Sequence, residues 1–358
     1  MIKKFDFSRY KDCLRDKAFD SGNATRAALG SRDDDHAYYS VMDPFLLDVE
    51  KIRNSKAYRR LFFKTQVFPF PDSVYIRNRG FHTGEVVSSG TRLASITGLN
   101  IGLVQAGSFG HDLGQVPFGH LGESFMSEKL SLEFLHAIYS VIVCRKIERS
   151  GRGLNLCLQT EQAIAHHSRT RDKGQLLIAG NAPQEETLVM YCDKIGYTFS
   201  DINDAVAVGL LNEKTLIKEI KLLGKNQRER VMACEYALIE ESAKLGYVSF
   251  AKSEVAEIFA AIRDFMFDNV YLALNETEEH KKMRSYLDVV YNGFIDSGLN
   301  KVQTLTIISI MTDVDVKSFA AIFNKDSKKV NLNFIKTLMP IDIFVFPVFT
   351  NEMDFITI

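Results

Sequence analysis

The sequence predicts an all-α protein, and three observations lead to that prediction. No proline occurs between Gln184 and Met339. Apolar residues recur at steps of three and four, which is the period of a helix and not the alternation of a strand. Glycine or asparagine separates most of the periodic segments. The segments that we expect to be helical are 45–62, 82–98, 101–113, 122–147, 160–168, 185–211, 226–246, 252–274, 278–296 and 314–323.

Two segments depart from the helical pattern. The stretch from 66 to 79 contains Pro69, Pro71 and the β-prone run Val74-Tyr75-Ile76, which favours a small β-hairpin. The C-terminal end, MPIDIFVFPVFTNEMDFITI, has a similar composition. Its prolines would limit short strands there to the edge of a sheet.

The chain shows no internal repeat, low-complexity tract or flexible linker. We therefore expect one compact helical domain, residues 41–325, with an extension at each end. The N-terminal segment, residues 1–40, contains the acidic run SRDDDH and is the part most prone to be mobile. The C-terminal extension, residues 326–358, would pack on the same domain.

Composition excludes several classes of protein. The 358 residues carry 44 Lys+Arg against 45 Asp+Glu, so no overall positive charge favours nucleic acid or an anionic membrane as the main partner. There is no run of 18 apolar residues and no signal-peptide pattern at the start. Five cysteines without a CxxC pair are typical of reduced thiols. We expect a cytoplasmic protein that does not span a membrane.

Histidines are concentrated in one part of the chain, where six of the eight lie between His82 and His167. His82 lies at the start of one predicted helix, and the pair His111-Asp112 lies at the end of the next. Imidazole and carboxylate ligands together suit a divalent ion that keeps positions open for water and phosphate oxygens. A fourth ligand would be needed.

A second group of polar residues lies further along the chain. Asp193, Tyr197, Asp201 and Asp204 follow one another at steps of four, four and three residues. At about 3.6 residues per turn, this spacing puts all four on one stripe of a helix.

These residues carry a family resemblance. His82, His111-Asp112 and Asp193 resemble the H…HD…D pattern of the HD-domain metal-dependent phosphohydrolases. The segment HDLGQVPFGHLGE, residues 111–123, resembles the HDLGHxPFGHxGE segment of the dGTPase-type deoxynucleoside triphosphate (dNTP) triphosphohydrolases. Further blocks agree in order over about residues 45–315, among them DPFLLDVEKIRNSKAYRRLFFKTQVF, RGFHTGEV, DKIGYTFSDINDA and MTD.

The resemblance implies an HD-domain helical fold and hydrolysis of a dNTP to deoxynucleoside and tripolyphosphate, by attack of metal-activated water at the α-phosphorus. The implied ligands of a divalent ion, Mn²⁺ or Mg²⁺ with Fe, Co or Ni as alternatives, are His82, His111, Asp112 and Asp193. The implied catalytic residues are His120, Glu123 and His136. The implied substrate contacts are Gln66, Tyr197 and Asp201 on the sugar and Arg79, Lys194 and Gln115 on the triphosphate side.

The chemistry of a polyanionic substrate gives these roles a reason. A cation polarises the phosphoryl oxygen and lowers the pKa of the attacking water. The leaving 5′ oxygen needs a proton, and a histidine whose pKa is raised by a nearby carboxylate can supply it. We therefore expect His120 and Glu123, three residues apart, to form a hydrogen-bonded pair. A tyrosine ring under the sugar would leave no room for a 2′ hydroxyl.

One departure from the family pattern keeps alternatives open. Gln115 stands where the family has a second histidine, and an amide cannot carry a proton or a positive charge. One alternative is an HD-type hydrolase of a nucleoside monophosphate or another phosphoester. The other is a weakly active protein that senses nucleotides or binds single-stranded nucleic acid. The resemblance also implies a homo-oligomer, and we expect Asp204 and Asp313 to be structural partners of helices.

Overall fold

The computed structural model describes residues 5–26, 38–68, 75–168, 184–325 and 349–357. These residues form helices joined by turns and contain no β-sheet, so the all-α prediction is confirmed. The α-helices are α1 (Pro44–Arg53), α2 (Lys56–Leu61), α3 (Arg79–Thr97), α4 (Ile101–Gly110), α5 (His120–Leu130), α6 (His136–Ile142), α7 (Leu158–His166), α8 (Gln184–Ala207), α9 (Lys218–Leu223), α10 (Gln227–Leu245), α11 (Glu254–Met266), α12 (Leu272–Leu274), α13 (Glu278–Asp296), α14 (Lys301–Ile310) and α15 (Asp313–Lys325).

Two predicted helices are each divided by a local signal. The segment 45–62 breaks before α2, where the Ser55 side chain accepts a hydrogen bond from the Tyr58 amide and caps the new helix. The segment 122–147 breaks after α5, where Ser131 adopts a left-handed conformation with φ of 58°. Beyond α6 the chain continues as a π-helix, Val143–Ile147.

The predicted β-hairpin lies partly outside the described residues. One antiparallel bridge joins Thr65 to Asn78, and residues 69–74 between them are outside the described part. Of the predicted C-terminal strands, residues 326–348 are likewise outside it. Residues 349–357 contain a 3-10 helix, Glu352–Phe355, capped by the side chain of Asn351.

The described residues group into two compact units. The first unit comprises Met1–Glu50, His82–Phe109 and Cys157–Leu274, and the second comprises Lys51–Phe81, Gly110–Leu156 and Asn275–Ile358. In the first unit, α8 packs against α7, α10 and α11. In the second unit, α13 packs against α5, α14 and α15. The predicted division into a domain with two extensions stays a prediction.

The N-terminal residues that the structure describes belong to the first unit. They form three short 3-10 helices, Phe7–Tyr10, Arg15–Lys17 and Ser21–Asn23. The Asp12 and Leu14 amides donate to the carbonyl oxygens of Ile96 and Thr97 at 2.7 and 2.8 Å, respectively. These bonds satisfy carbonyl groups in the last turn of α3, which carries His82 near its start.

Candidate active site

In the first unit, α3 and α8 bring two of the predicted metal ligands together. Nε2 of His82 lies 2.8 Å from Oδ1 of Asp193. The His82 side chain is buried and that of Asp193 is nearly so. A neutral imidazole and a carboxylate in contact supply the nitrogen and oxygen donors that a divalent cation binds.

The stripe on α8 continues along the same face. Lys194 and Asp201 are buried, and Tyr197 is partly buried. Burial and the nearby charge of Arg263 lower the pKa of Lys194 to about 8, against the opposing pull of Asp193.

Two residues join this stripe that the sequence did not single out. The Tyr271 hydroxyl donates to Oδ2 of Asp201 at 2.7 Å. Arg263 forms a side-chain hydrogen bond with Tyr197. Tyr271 ends the π-helix Phe267–Tyr271, an irregularity that is common at functional sites. The segment 252–274 has an unbroken helical period, so no sequence signal pointed to these two side chains.

In the second unit, the pair His111-Asp112 lies in the turn that follows α4. The Ser140 hydroxyl donates to the His111 carbonyl oxygen at 2.8 Å and accepts from the Gly114 amide at 2.8 Å. A Cβ at position 114 would lie 2.3 Å from the backbone nitrogen of Ser140. Glycine is therefore required for the turn to lie directly on α6.

Because position 114 lies so close to the Ser140 backbone, a side chain there should destabilise the protein. Gly114→Ala should lower the free energy of unfolding by about 2 kcal/mol, because backbone atoms must move apart. Gly84→Ala is the matched control, since a Cβ there meets nothing within 4 Å and alanine favours a helix. Chemical denaturation measures both. Equal stability of the two variants would contradict the packing described for Gly114.

Asp112 is the centre of a buried charge cluster. Its Oδ2 lies 2.8 Å from Nη1 of Arg79 and 3.3 Å from Nε2 of His111. Its Oδ1 lies 3.6 Å from Nε2 of His136. Burial alone would raise the pKa of Asp112, but Arg79 and the two histidines outweigh it and hold that pKa well below its usual range. Asp112 is therefore a carboxylate.

Arg79 also holds the segment that contains Gln66. Its Nε donates to the Thr65 carbonyl oxygen at 3.2 Å, and its Nη2 donates to that of Gln66 at 3.1 Å. Its backbone amide donates to the Lys64 carbonyl oxygen at 3.0 Å. The guanidinium group thus connects the Asp112 carboxylate to Thr65 and Gln66, and the Arg79 backbone holds Lys64 beside them. Its predicted contact with a triphosphate stays a prediction.

Glu123 forms its hydrogen bonds with different partners from the one expected. Nδ1 of His136 lies 3.1 Å from both of its carboxylate oxygens. Nε2 of Gln115 donates to its Oε1 at 2.8 Å. Among the described residues no hydrogen bond joins Glu123 to His120, whose side chain is exposed at the first position of α5. The expected His120–Glu123 hydrogen bond is replaced by a Glu123–His136 pair.

The two histidines differ in their pKa as a result. Burial alone would lower the pKa of His136, but the charge and hydrogen bond of Glu123 raise it. Desolvation of the imidazole by neighbouring protein atoms lowers the pKa of His120, with the charges of Arg79 and His136 adding to this effect and that of Glu123 opposing it. Although burial disfavours its ionisation, the pKa of Glu123 is depressed far below the usual range by His136, His120 and Gln115. The Glu123 carboxylate therefore favours the protonated form of His136, as in an ion pair.

The donors in each unit fit a divalent cation. The first unit offers His82 with Asp193, and the second offers His111 with Asp112. Mixed imidazole and carboxylate donors suit Mn, Fe, Co or Mg. Among the described residues no helix is long and apolar enough to cross a membrane.

Comparison with known proteins identifies the family. Residues 79–197 match the HD domain model, which implies a divalent metal and phosphohydrolase activity. A deoxyguanosinetriphosphate triphosphohydrolase-like protein of Clostridium tetani is 38% identical over 70% of this chain and 73% of its own length. A protein of the same description from Clostridium perfringens (strain SM101) is 36% identical over 69% and 72%. One from Caldanaerobacter subterraneus is 34% identical over 72% and 74%. This chain therefore belongs to the HD-domain family of deoxyguanosinetriphosphate triphosphohydrolase-like proteins.

Proposed function

We propose that this chain hydrolyses deoxynucleoside triphosphates to deoxynucleoside and tripolyphosphate, with water attacking the α-phosphorus. The observation that carries the proposal is the buried cluster of the second unit, in which His136 contacts both Asp112 and Glu123. The Asp112 carboxylate is of a type that binds metal, and the Glu123 carboxylate favours the protonated form of His136. A phosphoryl transfer requires a cation that stabilises the developing negative charge, and it requires a group that transfers a proton.

We assign the divalent cation to His82, His111, Asp112 and Asp193, the four positions of the family pattern. The low pKa of Asp112 supports this assignment, because a carboxylate that is ionised over the working pH range needs no proton release to bind metal. When bound, the cation supplies a Lewis acid for the phosphoryl oxygen and a lower pKa for water.

The three other polar residues of the cluster have distinct proposed roles. His136, whose protonated form is favoured by Glu123, places positive charge against a phosphate oxygen when protonated. His120 is exposed and has a lowered pKa, so its protonated form is a stronger acid than free imidazole and donates readily to the leaving 5′ oxygen. The side-chain amide of Gln115 donates one hydrogen bond to Glu123 and so positions that carboxylate. Its second N–H can donate to a phosphate oxygen.

The sugar contacts are proposed for Gln66, Tyr197 and Asp201. Gln66 is buried, and its Oε1 has no hydrogen-bond partner among the described residues, so it can accept from a 3′ hydroxyl. Tyr271 fixes the Asp201 carboxylate by its 2.7 Å hydrogen bond. Burial first and the Asp201 charge next raise the pKa of Tyr271 well above its usual value, so the phenol remains a donor.

The proposed triphosphate contacts are Lys194 and Arg79. Lys194 loses positive charge as the pH rises through its lowered pKa of about 8. An approaching polyanion would raise that pKa again and favour the charged form. Arg79 remains charged at any working pH. It contacts the triphosphate in this proposal and also holds the Asp112 carboxylate.

The test of the proposed function is a substrate panel with product identification. Purified protein is incubated with Mn²⁺ or Mg²⁺ and each of the four dNTPs, the matching ribonucleotides and the monophosphates. We expect deoxynucleoside and tripolyphosphate from at least one dNTP, slower hydrolysis of ribonucleotides and loss of activity with a chelator. Release of phosphate from monophosphates alone would favour the other HD-type hydrolase. Nucleotide binding without turnover would favour the sensing protein.

A further inference from the structure

Asp313 is a buried carboxylate whose side chain does not serve its own helix. It is the first residue of α15 and is 6% exposed. The start of that helix is capped instead by Asp315, whose Oδ2 accepts from the Thr312 amide and hydroxyl at 2.8 and 2.7 Å. The Asp313 side chain is thus used elsewhere.

Its carboxylate joins two segments that are far apart in the sequence. Oδ2 accepts hydrogen bonds from the Thr65 amide at 2.8 Å and from the Thr65 hydroxyl. Oδ1 accepts from the Phe118 amide at 2.9 Å. Thr65 precedes Gln66, and Phe118 lies two residues before His120. One side chain therefore holds the backbones beside both residues.

The Phe118 segment needs such support because its backbone is strained. Phe118 has φ of +61° and Gly119 has φ of +60°, and a non-glycine residue in this region costs of order 1–3 kcal/mol. The turn also lies against the Gln66 segment. A Cβ at position 119 would lie 3.3 Å from the Gln66 carbonyl oxygen and 3.2 Å from Nη2 of Arg79.

Lys64 makes a second connection between the same segments. It is buried, and its Nζ donates to the Gln115 carbonyl oxygen. Residues 64–66 and 115–120 are therefore joined at one side by Lys64 and at the other by Asp313. With both connections in place, neither segment can rotate about a single hydrogen-bonded point.

We propose that Asp313 is a positioning residue that fixes Gln66 and His120 relative to each other, so that the 3′ hydroxyl is held while the 5′ oxygen receives its proton. This inference rests on the proposed function. Asp313 touches neither group directly and acts through Thr65 and Phe118. From the sequence we expected Asp313 to be only a structural partner of a helix.

The test compares Asp313→Asn with Asp315→Asn. An Asn side chain has one acceptor oxygen, so at position 313 it must present its amide group to one of the two N–H donors. We expect kcat/KM to fall roughly 10- to 100-fold, and the preference for a dNTP over its 2′,3′-dideoxy analogue to fall about tenfold. Asp315→Asn keeps an acceptor oxygen for the Thr312 amide but removes a negative charge from the first turn of the same helix, so it should lower stability slightly while the preference is kept. Thr65→Val, which removes only the hydroxyl bond, should reduce the preference less and serves if Asp313→Asn does not fold.

Binding of nonhydrolysable dNTP and dideoxy analogues by calorimetry separates this inference from the proposed function. Wild-type protein that prefers the 3′-hydroxyl analogue, with a preference that is reduced only in the position 65 and 313 variants, supports the inference even without turnover. Unchanged preference in those variants would overturn it. Equal binding of both analogues by the wild type would overturn it as well. Absence of dNTP hydrolysis by the wild type counts against the proposed function alone.

Discussion

Asp193→Asn is expected to lower kcat/KM for dNTP hydrolysis by at least about 10³-fold. The carboxylate is one of four proposed metal ligands and lies 2.8 Å from His82. An amide of the same shape has no negative charge, so both the cation and the orientation of the imidazole are weakened. A loss of about 4 kcal/mol of transition-state stabilisation corresponds to such a factor.

Metal content and kinetics together check this result. Bound Mn²⁺ should fall from the wild-type stoichiometry, as measured by metal analysis after gel filtration. Asp264→Asn is the matched control, because Asp264 is an exposed aspartate of α11 in the same unit. It should keep wild-type kcat/KM and metal content. An Asp193→Asn variant with normal activity would remove this residue from the metal centre.

Glu123→Gln is expected to have the second largest effect, a loss of about 10²- to 10³-fold in kcat. The substitution keeps the size of the side chain but removes the negative charge 3.1 Å from Nδ1 of His136. His136 then loses the larger of the two carboxylate charges that favour its protonated form, while Asp112 remains 3.6 Å from its Nε2. Glu128→Gln is the control, because Glu128 is an exposed glutamate of the same helix, paired with Arg284.

The pH profile identifies the cause of that loss. In the wild type the pKa of His136 is raised, so activity that depends on protonated His136 is present below that pKa and is lost as the pH rises through it. Glu123 is ionised throughout, because its pKa is strongly depressed. In Glu123→Gln the pKa of His136 falls, so the alkaline limb of kcat should move to lower pH. An alkaline limb at the wild-type position would show that Glu123 does not act through His136.

The sequence was sufficient for the features that depend on local pattern. The predicted helix 278–296 has the bounds of α13, where Thr277 caps the first turn. The order of the H…HD…D pattern identified His82 and Asp193, which the fold brings into contact across 111 positions. Such ligands are recognisable because their chemistry restricts the residue types at each position.

Other features depended on contacts that a local pattern does not contain. The period of 252–274 is that of a plain helix, yet a π-helix within it brings Tyr271 to Asp201. Spacing favoured a His120–Glu123 pair, but α6 supplies His136 from 13 residues away. Asp313 reaches Thr65 over 248 positions. Each of these contacts depends on how helices pack, and no single segment specifies it.

Hydrolysis in ¹⁸O-labelled water with Mn²⁺ shows which atom of the dNTP the water attacks. Attack at the α-phosphorus predicts that one ¹⁸O atom enters tripolyphosphate and that the deoxynucleoside released remains unlabelled, as read by mass spectrometry. Label in the 5′ hydroxyl of the deoxynucleoside would contradict the proposed site of attack. Release of only orthophosphate or pyrophosphate from every dNTP would contradict the proposed reaction itself.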